Sequence, residues 1–268
     1  MEQLSDHDLV DFSRRFFDTG SKVALKIFSY NIHKGFNFTQ QFVLAGIRDI
    51  IRAENADVVF LQEVLGDHRR HGRSLQSWNG SQFEFLADEI WPHFAYGKNA
   101  IYTQGHHGNA ILSRLPILSW ENIDISNHRL ERRGILHACI DYEGQPLHLL
   151  NVHLDLTDRG RNHQLHRIRE RIQTQIPKHE ALILAGDFND WREKATKFFA
   201  DEVELQEVFW ESVGTHAKSF PSFRPTFCLD RIYVRGLEIL GATAHSGHPW
   251  SKLSDHTALS ALVQRPQF

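Results

Sequence analysis

The segment Ala185-Gly186-Asp187-Phe188-Asn189-Asp190-Trp191 closes an apolar run, Ala181-Leu182-Ile183-Leu184-Ala185. A carboxylate and a carboxamide two residues apart leave a strand on the same side, because side chains alternate along it. Asp187 and Asn189 therefore stand side by side at a strand's carboxyl end, where open α/β sheets bind ligands. A carboxylate in that position takes a proton from water, and the amide orients the water or an oxyanion. Taken alone, the segment fits a turn equally well, since Asp and Asn both favour turns.

Other strand ends carry matching groups. Lys26–Tyr30 runs into Asn31, Val58–Leu61 into Gln62-Glu63, and Leu147–Leu150 into Asn151-Val152-His153. Near the C-terminus, Asp230 opens one strand and Ser254-Asp255-His256 precedes another. Singly, Asn31 fits a turn cap, Glu63 a surface acid and His153 a core histidine. Together they are hard to dismiss, because charged groups rarely sit at the ends of buried strands unless paired or bound to metal. The types suit phosphoester hydrolysis with a hard divalent cation. Mg²⁺ takes oxygen ligands, which Glu63, Asn31 and Asp255 can supply. A zinc site does not fit: Cys139 and Cys228 are isolated and read as buried apolar residues, and adjacent histidines such as His106 and His107 seldom bind one ion together.

The elements that must position these groups alternate between short apolar runs and longer amphipathic ones, as layered α/β proteins require. Strands are expected at Val23–Tyr30, Asp57–Gln62, Asn109–Ser113, Gly134–Tyr142, Leu147–Val152, Ala181–Gly186, Asp230–Val234, Ile239–Ala244 and Thr257–Val263. Helices are expected at Phe38–Glu54, Ser81–Ile90, Arg161–Ile176 and Arg192–Ala200, with a short leading helix near Asp6–Asp18 inside a helical lead-in over residues 1–22. Glu143-Gly144-Gln145-Pro146 reads as a hairpin connection, so the sheets are mixed. No linker or repeat divides the chain, and one domain spanning residues 1–268 is the simplest expectation.

No stretch of 18 apolar residues is present, and the acidic, polar N-terminus carries no signal-peptide pattern, so a cytoplasmic enzyme is expected. The formal net charge of −3 is uneven. Arg69, Arg70 and Arg73 follow Glu63; Arg129, Arg132 and Arg133 form a second basic stretch; Arg159, Arg161, Arg167, Arg169 and Arg171 form a third. Such gathering points to a local anionic partner rather than to a wholly basic nucleic-acid binder. Arg167 and Arg171 read as a solvated face, because Leu165, Ile168, Ile172 and Ile176 mark that helix's buried stripe.

From about Lys26 to Val263 the chain resembles the endonuclease/exonuclease/phosphatase superfamily, which includes pancreatic-type deoxyribonucleases, apurinic endonucleases, inositol polyphosphate 5-phosphatases and bacterial sphingomyelinases. It is most similar to the small bacterial metal-dependent hydrolases of that superfamily. The resemblance rests on Tyr30-Asn31, Leu61-Gln62-Glu63, Gly108–Arg114, Asn151–Leu154, Gly186–Asn189, Leu229–Val234 and Leu253–His256, in that order. It implies a four-layer α/β sandwich with two packed mixed β-sheets and the site at one end of both. It further implies that Glu63 is the principal metal ligand, supported by Asn31 and Asp255, with Mg²⁺ or a substituting Mn²⁺. Asp187 would align and deprotonate the attacking water, and Asn189 would contact that water or the phosphate. His256 would bind the scissile phosphate, with Asp230 orienting its imidazole. His153 stands where members vary between His and Tyr, as a second phosphate-binding group. Asn109 and Arg114 belong to the matching run, and Arg114 reads as structural.

The shared core serves lipids, inositol phosphates and nucleic acids alike, so the reaction class follows while the substrate does not. No basic tail suited to duplex DNA and no apolar hairpin suited to membrane insertion is present. A compact phosphoester is therefore the expected substrate, such as a phospholipid headgroup, an inositol phosphate or a small nucleotide ester. A DNA-repair (apurinic) endonuclease or other nuclease is the alternative, so nucleic acid is retained as a substrate class. A catalytically inactive binding module is a further alternative, which would have no need of the complete acid and histidine set. Trp78 and Trp250 fall near the expected mouth and read more readily as packing residues. No protein partner is inferable.

Overall fold

The computed structural model describes residues 23–68, 81–102, 105–127 and 131–266. The leading helix expected near Asp6–Asp18, Arg69, Arg70, Arg73, Trp78 and Arg129 lie outside the described residues. Twelve strands build two six-stranded sheets. The first sheet holds β1 (Leu25–Asn31), β2 (Val58–His68), β3 (His93–Tyr102), β4 (Gly105–Ser113), β11 (Glu238–His245) and β12 (Ala258–Gln264), in the order β11-β12-β1-β2-β4-β3. The second holds β5 (Ile117–Asp124), β6 (Gly134–Tyr142), β7 (Gln145–His153), β8 (Ala181–Asp187), β9 (Gln206–Glu207) and β10 (Asp230–Arg235), in the order β5-β6-β7-β8-β10-β9. Within each sheet one central pair is parallel, β1 with β2 and β7 with β8, and every other pairing is antiparallel.

Burial explains the layering. Ile27, Val58, Phe60, Leu147, Leu149 and Ile183 face the space between the sheets and form the central core. Their neighbours Phe28, Val59 and Leu61 face outward beneath helices α1 (Leu44–Glu54) and α2 (Gln82–Ala87). Leu150, Val152, Leu182 and Leu184 face outward beneath α3 (Asp158–Gln175) and α4 (Ala195–Val203). Strands covered on both faces read as continuous apolar runs rather than as alternating ones. The result is a four-layer α/β sandwich of two mixed sheets, as expected. A fifth helix, α5 (Val208–Val213), buries Val208 and Phe209 in the central core.

All nine expected strands are present, although most boundaries move. Three further strands, β3, β5 and β9, were not legible. The β5 segment Ile117–Asp124 is largely exposed, and β3 is interrupted by Gly97, Lys98 and Asn99, so neither shows a clean period of two. The helix expected at Phe38–Glu54 starts only at Leu44. The Asn37 side chain accepts hydrogen bonds from the Gln41 N–H (2.9 Å) and the Thr39 hydroxyl (2.9 Å), which holds residues 37–41 in a turn. The Ser81–Ile90 helix shortens to Gln82–Ala87, with Ser81 as its cap. The third helix starts earlier than Arg161, because Thr157 caps it and accepts from the Gly160 N–H at 3.1 Å. The fourth starts later than Arg192, where the Asp190 carboxylate accepts from the Ala195 N–H at 2.7 Å. The β6–β7 hairpin turns on Glu143 and Gly144 alone, both at positive φ, so Gln145 and Pro146 belong to the strand. Cys139 and Cys228 are half-buried, not buried.

One basic side chain also departs from expectation. Arg171 is not merely solvated: its guanidinium donates to His137 Nδ1 (3.0 Å) and to Glu121 (2.8 Å). Arginine only donates and carboxylate only accepts, which fixes the direction of the whole chain. His137 Nε2–H donates to His148 Nδ1 at 2.9 Å, and His148 Nε2–H donates to Glu180 at 2.6 Å. Burial, then the neighbouring Arg171 and His148, push the His137 pKa down to about 3. An unfolded histidine takes its proton near pH 6.5, so this group's stabilisation is complete above that pH and drains away as pH falls toward 3. We expect His137→Gln to lose less stability on acidification, by about 1.4 kcal/mol per pH unit between pH 6 and 4. Urea unfolding of both proteins across that range measures the difference, and parallel curves would contradict it.

Candidate active site

The topology brings the polar strand ends together. The parallel strands β1, β2, β7 and β8 end at one edge of the sandwich, and the antiparallel strands β4, β6, β10 and β12 begin there. Asn31, His153 and Asp187 end strands of the first group and Glu63 stands inside β2, while Arg133, Asp230 and His256 stand at or just before the starts of the second group and His107 is the third residue of β4. Between the two sheets at this edge lies a cavity of about 300 Å³.

A layer of buried amides closes the sheets beneath it. Asn151 donates to the carbonyls of Leu61 (2.9 Å) and Ala110 (2.8 Å) of the opposite sheet, and accepts from Gln62 at 2.9 Å. Asn109 donates to the Asn151 carbonyl at 3.3 Å. The β2–β4 register shifts between Leu61 and Val64, and Glu63 stands in that bulge at φ 55°. Gly186 precedes Asp187 at φ +143°, where an added Cβ would meet the Val152 carbonyl oxygen at 1.9 Å. Only glycine permits that approach. His33, Lys34 and Asn189 also hold positive φ, so several non-glycine residues at the cavity share left-handed backbone.

Six of the eight expected residues line the cavity: Glu63, His153, Asp187, Asn189, Asp255 and His256. Asn31 and Asp230 stand behind them, buried and bonded to the lining. Asn31 Nδ2 donates to Asp187 Oδ2 (3.1 Å) and toward Glu63 Oε1 (3.4 Å), while its oxygen accepts from the His33 N–H at 3.1 Å. The amide nitrogen, not the oxygen, thus faces the carboxylates. Asp230 holds His256 Nδ1–H at 2.8 Å, and His256 Nε2 lies 3.7 Å from Asp187 Oδ2. His153 Nε2 approaches the same Asp187 oxygen at 3.4 Å, and the Asn189 N–H donates to Asp187 Oδ1 at 2.9 Å. The Asn189 side-chain amide donates to the Leu154 carbonyl at 3.0 Å.

The charges sort themselves by partner. Burial lowers the pKa of His256, but Asp230 and Asp187 more than reverse this and raise it to about 10, so the ring carries both protons at neutral pH. Burial, with Arg133 adding to it, holds His153 well below the ordinary histidine range, and that ring is neutral. Burial raises Asp187, with nearby Asp230 acting in the same direction. Burial would raise Glu63 as well, yet the surrounding histidines and Lys34, whose ammonium lies 3.5 Å away, bring it down to about 2. Glu63 is therefore ionised and opens into the cavity.

Two oxygen-bearing groupings bear on a metal. Asp187, Asp230 and His256 each offer one ligand atom within 4.8 Å of the others, a group that could hold a metal ion once His256 sheds its protons. One oxygen of buried Asp230, Oδ1, has no hydrogen-bond partner. With both protons in place, the same trio is an acid–base relay rather than a ligand set. Glu63 and Asp255 form the other grouping, all oxygen, which fits a hard divalent cation.

The sequence had not singled out Lys34, His107, Arg133, Leu156, Trp191 or Phe220, all of which line the cavity. Arg133 lay in a recognised basic stretch, and Trp191 closes the motif from which the reading began. His107 had been weighed only as half of a zinc pair; on a strand the two histidines face opposite ways, and His106 meets the Tyr96 hydroxyl at 3.0 Å instead. Of the described arginines in the basic stretches only Arg133 lines the cavity; Arg159 and Arg161, expected near it because they follow His153, do not, and Arg161 is buried, paired with Asp158 and donating to the Leu156 carbonyl at 3.0 Å. Arg114 is structural as expected, donating to Asn55 at 2.6 Å. Trp250 packs on His245 and Phe28, with ring centroids 4.6 and 5.9 Å away.

Comparison with known proteins bears on the family and the fold. Residues 28–256 match the model of the Endonuclease/Exonuclease/phosphatase family. A protein of Escherichia coli (strain K12), "Uncharacterized protein YbhP", is 42% identical over 250 residues, which cover 92% of this chain and 98% of that protein. The crystal structure of an endonuclease/exonuclease/phosphatase from Beutenbergia cavernae superposes with a TM-score of 0.74 at 18% identity, covering 91% of this chain and 72% of its own. That of a counterpart from Bacteroides vulgatus gives 0.72 at 17% identity, covering 91% and 100%.

His256 and Asp187 share one short approach across the sheet boundary, so their losses should not multiply. We expect Asp187→Asn and His256→Ala each to lower turnover on the order of a thousandfold with folding intact, and the double variant to lose far less than the product. Strictly multiplicative losses in steady-state kinetics would show that the two act independently.

Proposed function

The chain belongs to the Endonuclease/Exonuclease/phosphatase family and is a metal-dependent hydrolase of phosphoester bonds; from that premise we propose that it cleaves a compact phosphodiester or phosphomonoester with Mg²⁺ at the edge shared by the two sheets. The observation that carries this reading is the composition of the cavity, a volume of about 300 Å³ with acids and imidazoles at its floor. Lys34 and Arg133 add positive charge to it, and Leu156, Trp191 and Phe220 add apolar surface.

Glu63, Asn31 and Asp255 would hold the cation, Asn31 only once its amide turns over, since here its nitrogen faces the carboxylates and its oxygen accepts from the His33 N–H, and Mn²⁺ can replace Mg²⁺ in such an oxygen set. A cation bound there supplies electrostatic stabilisation of the phosphoryl charge. Asp187 takes the proton of the attacking water and aligns it for in-line displacement, for which a carboxylate raised by burial is a better base than an exposed one. Asn189 contacts that water or the phosphate. His256 places Nε2–H on the scissile phosphate and stabilises the charge that develops, while Asp230 keeps its ring oriented and protonated. His153 gives a second, neutral contact to the phosphate. Arg133 meets a remaining anionic oxygen. Trp191, packed edge-on against Phe220 and Phe227 with centroids 6.1 and 5.0 Å away, borders the organic part of the substrate.

Glu63→Gln should abolish both turnover and Mg²⁺ binding without unfolding the chain; calorimetric titration of metal into that variant makes the check, and unchanged affinity would remove Glu63 from the ligand role. A compact substrate touching a few cations should also give a shallow salt dependence. We expect the slope of log kcat/KM against log salt to be no steeper than about −3 on a short DNA duplex or a small diester. A slope beyond about −5 together with a strong preference for long duplex would favour the nuclease reading instead.

A further inference from the structure

Lys34 lines the cavity, and its ammonium lies 3.5 Å from Glu63 Oε2, while the Asn31 amide nitrogen lies 3.4 Å from Oε1. Both oxygens of the expected principal metal ligand thus face a nitrogen. The same turn sends the His33 imidazole to 3.5 Å from Asp255, the other carboxylate expected to hold the cation.

The turn that carries these groups is held in place from outside. His33 and Lys34 keep left-handed backbone, at φ 45° and 58°, which persists for such residues only where the surroundings impose it. Gln82, wholly buried at the start of α2, supplies the restraint. Its Nε2 donates to the Lys34 carbonyl at 2.8 Å, and its Oε1 accepts from the Leu65 N–H at 2.8 Å. Leu65 lies two residues beyond Glu63 on β2, so one amide clamps the Lys34 backbone to the strand that presents Glu63. Gly35 leaves room for the clamp, since a Cβ there would stand 2.8 Å from Gln82 Nε2. An ordinary lysine–glutamate pair on a surface is bathed in water and contributes little, whereas here the Glu63 side chain is only 19% exposed.

We propose that Lys34 is the resident counter-ion of Glu63, that a divalent cation must displace it, and that the freed ammonium takes an anionic oxygen of the substrate. The inference rests on the phosphoester reading and gives one residue two partners in turn. A lysine suits such an exchange. Its ammonium is a compact charge on a flexible stem, whereas an arginine would hold the carboxylate in a fixed two-point grip. Without the cation, the ammonium offsets the charge of Glu63. With Glu63 committed to a cation, two positive centres repel, and the ammonium is favoured on the phosphate instead. Lys34 therefore weakens the binding of metal alone and strengthens the binding of an anionic substrate to the loaded protein.

Calorimetric titration of Mg²⁺ into the intact protein and its variants tests the first half. Lys34→Met keeps the stem without the charge and should bind Mg²⁺ about tenfold more tightly, and Lys34→Gln should repeat the effect. Lys34→Arg keeps the charge and should bind Mg²⁺ no more tightly than the wild type. A lysine that merely held the turn in shape would, on removal, weaken Mg²⁺ binding, which is the opposite sign. Inorganic phosphate titrated into the Mg²⁺-loaded proteins, followed by phosphorus NMR line broadening, tests the second half. Lys34→Met should lose about fivefold in phosphate affinity. The Lys34 side chain is 41% exposed, so the fold is retained, which circular dichroism verifies. Mg²⁺ binding to the neutral variants no tighter than to the wild type, or phosphate binding that is not weakened, would overturn the proposal. Failure of Mg²⁺ to bind any of the four proteins would instead remove the metal reading, and this inference with it.

Discussion

Asp187 carries a carboxylate into the closed seam between two β-sheets, and a charge so placed must be answered from every side. Water cannot reach it freely, so its stability depends on donors fixed by the fold. The Asn189 N–H answers one oxygen, at 2.9 Å, and the Asn31 amide the other, at 3.1 Å. Those two donors belong to different sheets, so the contact also fixes how the sheets meet. His256 completes the set as an imidazolium held by Asp230. Removal of any one partner leaves a buried charge less compensated, which makes the cluster a unit rather than a sum of pairs.

The constraint reaches outward through the backbone. For two sheets to present side chains to one edge, the strands ending there and the strands starting there must alternate, and a parallel central pair flanked by antiparallel neighbours achieves this in each sheet. The amides of Asn151, Gln62 and Asn109 then bridge the gap where apolar packing gives way to the polar site. Bulge and left-handed backbone at Glu63, and the glycine at 186, aim polar groups into the cavity at the cost of local strain. The three hydrophobic layers absorb that strain, because they are packed on both faces of every central strand.

Charge and apolar surface divide the rest of the molecule. At the edge that holds the cavity, Lys34 and Arg133 stand among acids, with an aromatic border beside them. Several other arginines are spent internally, as Arg161 is against Asp158 and Arg171 is in the chain from Glu121 to Glu180. Among the described residues no helix is long and apolar enough to cross a membrane. The basic stretches thus serve folding, and only Arg133 among their described arginines lines the cavity.

The sequence by itself determined a layered α/β protein with mixed sheets, because apolar runs of strand length alternate with amphipathic stretches; the motifs, through their resemblance to a known family, implied the four-layer sandwich, and the polar residues at the strand ends marked one edge. Asp187, Asn189, His153 and His256 were legible because each stands at or beside a strand boundary, where a local pattern is informative; Glu63, inside the bulged β2, was legible through the Leu61-Gln62-Glu63 motif. Strands β3 and β5 were not legible, since their stability comes from neighbours rather than from a period of their own. Lys34, His107, Arg133 and Phe220 became visible as lining residues only when distant segments met. Which arginine lines the cavity and which closes a buried pair, and which way the Asn31 amide points, are set by distances across the two sheets. Such distances are properties of packing, and no spacing along the chain encodes them.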